Sequence, residues 1–127
     1  MLKTNSKAAR ENIRAYITER HNCEEYAPEA DTSTFKGIAT AIYSDFVRVA
    51  TGNDARRSYP TAEAFAEYAA GLPGILDTCY YYNRSAVDDL GEILEETPEE
   101  RAKYSETDAE RLLSLLIFRE IEKAAKS

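Results

Sequence analysis

The chain has 127 residues, the size of one ordinary domain, and a formal net charge of −7. Hydrophobic residues make up 43% and charged residues 31%, which is the balance of a globular rather than a disordered chain. No apolar run reaches the roughly 18 residues that cross a bilayer, and the charged start is unlike a signal peptide. We therefore expect one cytoplasmic domain over 1–127, with no membrane contact.

Two helices are predicted in the first part of the chain, because apolar residues recur there every three or four positions. The first begins after a cap within residues 4–6 and runs to about His21, and the second covers about 34–50. Two short helices follow, one between Thr61 and Gly71 and one over 72–82. The first helix also carries a basic flank beside its apolar stripe, formed by Lys7, Arg10 and Arg14.

The last third of the chain contains three cap signals, at Ser85, Thr97 and Ser105, each followed three residues later by an acid. The final helix should end near Ala125, and its apolar stretch 112–118 predicts a helix that is central to the core or faces a second subunit. No stretch alternates with period two. The pattern predicts an all-α, compact single-domain bundle of about five to six helices.

Negative charge is concentrated near the end of the chain. Residues 1–64 carry nine Lys/Arg and nine Asp/Glu, whereas 85–110 contain ten acids against Arg101 and Lys103. On the helix after Ser85, five acids are expected in water, opposite the apolar stripe: Asp88, Asp89, Glu92, Glu95 and Glu96. Such a surface repels a phosphate backbone, so nucleic acid is an unlikely partner for it.

Residues suited to catalysis or metal binding are few. The one histidine, His21, lies at the predicted end of a helix, where a cation favours the helix dipole. Cys23 and Cys79 match no metal spacing and are expected to be reduced thiols. Glu92 has an acid one turn away on each side, a spacing that can hold a divalent cation but usually marks a solvated face. We predict no catalytic residue, metal or cofactor, and no enzymatic activity.

Tyrosine is enriched, with nine residues, and three of them stand together at 80–82. Tyrosine and arginine are favoured at binding hot spots, although a packed core residue explains such a cluster equally well. The binding candidates are therefore the aromatic cluster with Arg84 and the acidic face: Tyr80, Tyr81, Arg84, Asp88, Asp89, Glu92 and Glu96.

Four stretches of the chain, which together span most of its length, resemble a group of small uncharacterised proteins encoded on conjugative elements and phages of gut Gram-positive bacteria. They are 4–12 (TNSKAAREN), 72–77 (LPGILD), 79–96 (CYYYNRSAVDDLGEILEE) and 112–120 (LLSLLIFRE). The resemblance implies an accessory protein of a mobile genetic element and implies no activity or site.

Three functions fit the sequence. The first is a non-enzymatic module that binds another protein, with a homodimer as one form of such an interaction. The second is an acidic decoy that imitates phosphates and occupies the nucleic-acid groove of a host protein. The third is weak DNA binding through the basic flank together with Arg56 and Arg57.

Overall fold

A computed structural model describes residues 1–20, 29, 31–51 and 85–127, with the backbone alone in 45–51. In this part of the chain the protein is all-α, with five helices and no strand. Their bounds are α1 Lys7–Arg20, α2 Phe35–Thr51, α3 Ala86–Ile93, α4 Pro98–Arg101 and α5 Glu106–Ala125. The short helices predicted after Thr61 and over 72–82 lie outside the described residues.

The predicted helix starts are confirmed by their caps. The hydroxyl oxygens of Ser6, Ser85 and Ser105 each accept a hydrogen bond from the amide three residues ahead. At Thr97 the cap is reciprocal, because Glu100 donates its amide to the Thr97 hydroxyl at 3.2 Å and accepts the Thr97 amide at 3.0 Å. Each such cap contributes about 1 kcal/mol, so local sequence sets these boundaries.

Helix α5 is the central element of the described bundle, because α1, α2 and α3 all pack against it. Its apolar side supplies the largest fully buried ring, Phe118, which stacks near Tyr43 of α2 with ring centroids 6.0 Å apart. The largest apolar side chains that are almost completely buried come from α1, α2, α3 with its C-cap residue, and α5: Ile13, Ile17, Ile42, Leu90, Leu94, Phe118 and Ile121. Each contributes about 1.5 to 3 kcal/mol by leaving water.

In the described part of the chain, little apolar surface is exposed. Met1 is the one large hydrophobic residue that is exposed among the described residues. None of the helices in this part of the chain is both long enough and apolar enough to cross a membrane.

Candidate functional site on the acidic segment

The acidic segment, residues 85–110, is built on α3 and the turn into α4. The start of α3 is tied to the start of α5, because the Glu106 carboxylate accepts hydrogen bonds from the Ser85 hydroxyl at 2.9 Å and from the Ala86 amide. Asp88 and Asp89 occupy the first turn of α3, where carboxylates interact favourably with the helix dipole. The segment is thus anchored to the central helix before its acidic surface begins.

The end of α3 turns sharply into α4 through a Schellman motif. The Glu96 amide donates to the Gly91 carbonyl at 2.8 Å, and the Glu95 amide donates to the Glu92 carbonyl at 3.3 Å. Glu95 adopts a left-handed backbone with φ of 53°, a conformation that glycine usually provides. This turn places Glu95 outside and Glu96 inside the fold.

The outer face of the acidic segment consists of four exposed carboxylates that belong to α3, its turn and α4: Asp88, Glu92, Glu95 and Glu99. The Asp88 side chain is 70% exposed and lies 3.9 Å from Arg101, the one cation in ion-pair range of this face among the described residues. The expectation of a solvated acidic surface therefore holds for Asp88, Glu92 and Glu95. Water screens them, and their combined potential extends outward.

Asp89 was expected in water with its neighbours, and this prediction is wrong, because Asp89 is buried with 7% of its surface exposed. Its carboxylate accepts a hydrogen bond from the Tyr16 hydroxyl at 2.9 Å and lies 3.7 Å from Arg20 of α1. The Arg20 guanidinium also stands over the Tyr16 ring at 4.9 Å. Asp89 thus joins α3 to α1 and presents no charge to a partner.

Glu96 was also expected in water, and this prediction is wrong as well. The residue is 6% exposed, and neither oxygen of its carboxyl group has a hydrogen-bond partner. Burial, followed by the nearby negative charge of Glu100, raises the pKa of Glu96 above its ordinary value. The structure ends α3 at Ile93, so Glu96 lies beyond the helix, where helical periodicity gives no information about burial.

Arg101 of α4 crosses the outside of α3 at Gly91. A side-chain carbon on Gly91 would lie 2.2 Å from the Arg101 Nε, so glycine leaves the space that the arginine occupies. The Nε donates to the Glu96 carbonyl at 3.3 Å, while the guanidinium reaches toward Asp88 on the outer face. Arg101 therefore fastens α4 to α3 without forming a hydrogen bond to the Glu96 carboxyl group.

The basic flank of α1 is engaged within the fold. Arg10 and Arg14 donate to the two carboxylate oxygens of Glu120, at 2.6 and 3.1 Å, and Glu120 is completely buried. Burial alone would raise the pKa of Glu120, but the hydrogen bonds and charges of the two arginines outweigh it, so the pKa is lowered. Arg14 also lies over the Phe35 ring at 4.8 Å. Two of the three flank cations are thus committed to α5.

A signal for Glu120 was present in the sequence. The residue lies three positions after Ile117 and four before Ala124, within the apolar stripe of α5. A carboxylate at that position requires a cation from a neighbouring helix, and Arg10 with Arg14 are spaced one turn apart to provide it. Asp89, between Ala86 and Ile93, carried the same signal.

The other predicted candidates lie outside the described residues. These are the aromatic cluster with its arginine (Tyr80, Tyr81 and Arg84) and the residues weighed for catalysis or anion binding (His21, Cys23, Cys79, Arg56 and Arg57). Within the described ranges, His, Cys, Asp and Glu side chains form no group of three that could hold a metal ion.

A pocket of about 430 Å³ lies beside the first turns of α2, with Asp31 and Lys36 among its lining residues. Both charges are already satisfied by the chain. The Asp31 carboxylate accepts from the Ser33 amide and hydroxyl, at 2.9 and 2.6 Å, and the Lys36 ammonium donates to the Ser127 carbonyl at 2.7 Å. The pocket therefore offers no charged group that is directed at a ligand.

Comparisons with known proteins were made at three levels. No family model matches the chain, and no curated protein and no solved structure is detectably similar to it.

Proposed function

We propose that this protein is a non-enzymatic accessory module that binds a basic partner protein through the outer face of the acidic segment. The observation that carries the proposal is an asymmetry in how charges are used. Four arginines of α1 and α5 are held by contacts within the fold, whereas the carboxylates of Asp88, Glu92, Glu95 and Glu99 lie at the surface. A surface of one sign attracts a partner of the opposite sign and steers its approach.

Four arginines of α1 and α5 form ion pairs or hydrogen bonds with other residues of the chain. Arg10 and Arg14 pair with Glu120, Arg20 pairs with Asp89, and Arg119 donates to the Thr4 carbonyl. Within the described residues, by contrast, Glu92 and Glu99 have no cation in ion-pair range. The negative face is thus available to a partner without first breaking a strong internal contact.

The setting of this interaction is part of the proposal. The resemblance of the chain to proteins of conjugative elements and phages supports an accessory role on a mobile genetic element in the cytoplasm. A basic host or element protein is the partner that the charge of the outer face favours.

The test compares two triple variants with the same change in net charge. Asp88→Asn/Glu92→Gln/Glu95→Gln removes three charges from the outer face, and Glu11→Gln/Glu19→Gln/Glu29→Gln removes three exposed charges elsewhere. Immobilised wild-type protein should retain basic proteins from a host lysate, and the first variant should retain about tenfold less, since exposed charge pairs contribute up to about 1 kcal/mol each. The second variant should behave like the wild type.

Retention should also fall steeply between low and high salt, because the contacts are exposed and screened. Equal retention by the wild type and both variants, or retention that is insensitive to salt, would contradict the proposal.

A second candidate is the phosphate-imitating decoy, which is favoured by the exposure of both Asp88 and Glu92 one helical turn apart. The two candidates differ in one measurement. Duplex DNA added to the captured complex should release the partner of a decoy, whereas a partner bound at another surface should stay. Direct DNA binding is disfavoured, because Arg10 and Arg14 are paired with Glu120, and we expect no gel shift with duplex DNA.

A further inference from the structure

Glu96 stands apart from the other acids of the chain because it is buried without a partner. Its carboxyl oxygens are the one pair of buried side-chain polar atoms, among the described residues, that form no hydrogen bond. An ionised carboxylate in such a place is strongly disfavoured, whereas the neutral acid is disfavoured much less. The fold therefore discriminates between the two protonation states of this side chain.

The groups around Glu96 reinforce this discrimination. Glu100 of α4 adds a like charge, which favours the neutral acid further. The neighbouring Tyr104 hydroxyl brings no additional charge, since burial and the charges of Glu96 and Glu100 raise its pKa. Arg101 and the Met1 amino group favour ionisation, but Arg101 reaches toward Asp88 and the amino group lies 3.7 Å from Glu100. The nearby positive charge is thus directed at other carboxylates.

Glu96 is also the residue that joins α3 to α4. Its amide completes the Schellman motif at Gly91, and its carbonyl receives the Arg101 Nε. If the Glu96 side chain moves into water, the backbone of Glu96 shifts, and with it the hydrogen bonds of its amide and its carbonyl. These two hydrogen bonds hold the four-residue helix α4 against α3.

We propose that Glu96 makes the joint between α3 and α4 a proton-sensitive latch, closed while its carboxyl group is protonated and loosened when the group ionises. The inference concerns the stability of residues 96–104 and does not depend on the proposed partner binding. The sign follows from linkage. The folded state holds the proton more tightly than the unfolded chain, so stability is full below the pKa of an ordinary glutamate and falls as the pH rises through the higher pKa of Glu96.

The experiment uses Glu96→Gln, which has the shape of the neutral acid at every pH, and Glu99→Gln, which removes an exposed acid close by. Unfolding by urea is measured from about pH 4 to about pH 8 for both variants and the wild type. Amide hydrogen exchange of residues 97–104 is measured at the same pH values in each protein, so that the intrinsic pH dependence of exchange cancels between them.

We expect the unfolding constant of the wild type, divided by that of Glu96→Gln, to rise with pH by up to tenfold per unit above the ordinary glutamate pKa of about 4.3. Amide exchange in residues 97–104 should accelerate over the same interval more steeply in the wild type than in Glu96→Gln. The corresponding ratio for Glu99→Gln should stay constant.

A ratio for Glu96→Gln that is constant with pH, or exchange that changes equally in the variant and the wild type, would overturn the proposal. A direct titration keeps the test decisive if the variant folds poorly. The carboxyl carbon of Glu96 in the wild-type protein, followed by NMR, should titrate above the ordinary glutamate pKa. A midpoint at or below that value would refute the latch.

Discussion

Glu120 and Glu96 are both buried, yet the fold treats them in opposite ways. Glu120, in the middle of α5, is completely buried and receives hydrogen bonds from two arginines of α1. Glu96, at the joint between α3 and α4, is 6% exposed and receives none on its carboxyl group. The pKa is lowered for the first residue and raised for the second, although burial acts in the same direction on both.

The difference shows that the neighbours of a buried carboxyl group, rather than its depth, determine its charge state. Arg10 and Arg14 are held in place by α1, on the side that faces α5, so ionised Glu120 has two fixed partners. At the joint, Arg101 is held across Gly91 and reaches toward Asp88, so the Glu96 carboxyl group receives no hydrogen bond from it. One site locks two helices together, while the other is sensitive to protons.

The largest expected effect comes from replacing both arginines that pair with Glu120, which removes the difference between Glu120 and Glu96. In Arg10→Met/Arg14→Met, a buried carboxylate loses its partners and is left in the situation of Glu96. We expect a loss of about 3 kcal/mol in the free energy of unfolding, measured by urea denaturation at neutral pH, since breaking a buried ion pair from one side is strongly destabilising. The pKa of Glu120 should then rise above its ordinary value.

Lys7→Met serves as the control, because Lys7 is exposed on the same helix and makes no contact with Glu120. Its unfolding free energy should change by less than about 0.5 kcal/mol. A double variant as stable as this control would mean that Glu120 does not depend on its arginines.

Glu120 and Glu96 should also differ in how their contributions to stability depend on pH. Its folded pKa is lowered, so its contribution to stability is present above the ordinary glutamate pKa and is lost as the pH falls through the folded value. At neutral pH, Glu120→Gln should be about 2 kcal/mol less stable than the wild type, the size of hydrogen bonds to a charged group. This gap should narrow on acidification below about pH 4, measured by urea unfolding.

For Glu96→Gln the gap to the wild type should instead change at higher pH and in the opposite direction. If the two variants show the same pH profile, relative to the wild type, the distinction between the two buried carboxyl groups is wrong.

Local sequence predicted most of the described fold. Helix starts at Ser85, Thr97 and Ser105 were predictable because a cap acts on amides only three residues away. The apolar stretch 112–118 of α5 is too wide for a surface helix and predicted either a central helix or a subunit interface, and the structure shows the central position. The predicted all-α class is confirmed as well, since the described residues form helices and no strand.

The candidate site was predicted only in part, because burial depends on which helices meet. Asp89 was placed with the solvated acids, and the structure shows that Tyr16 and Arg20 of α1 cover it. Its position between Ala86 and Ile93 indicated burial, and that signal was available. Glu96 carried no such signal, since its burial results from the left-handed turn at Glu95.

A substitution in the left-handed turn at Glu95 should have the smallest effect on the joint between α3 and α4. Glu95 has φ of 53°, which is unfavourable for a residue with a side chain, so Glu95→Gly should stabilise the protein by about 0.5 to 1 kcal/mol. Glu95→Ala is the matched control, because it loses the same carboxylate and the same 3.5 Å contact from Asn12 but keeps the unfavourable backbone. The difference between Gly and Ala, measured by thermal unfolding, should be the same at about pH 5 and about pH 8, since neither variant titrates at this position. A difference that grows with pH would mean that the backbone at Glu95 and the proton on Glu96 are coupled, and the latch would then extend into the turn itself.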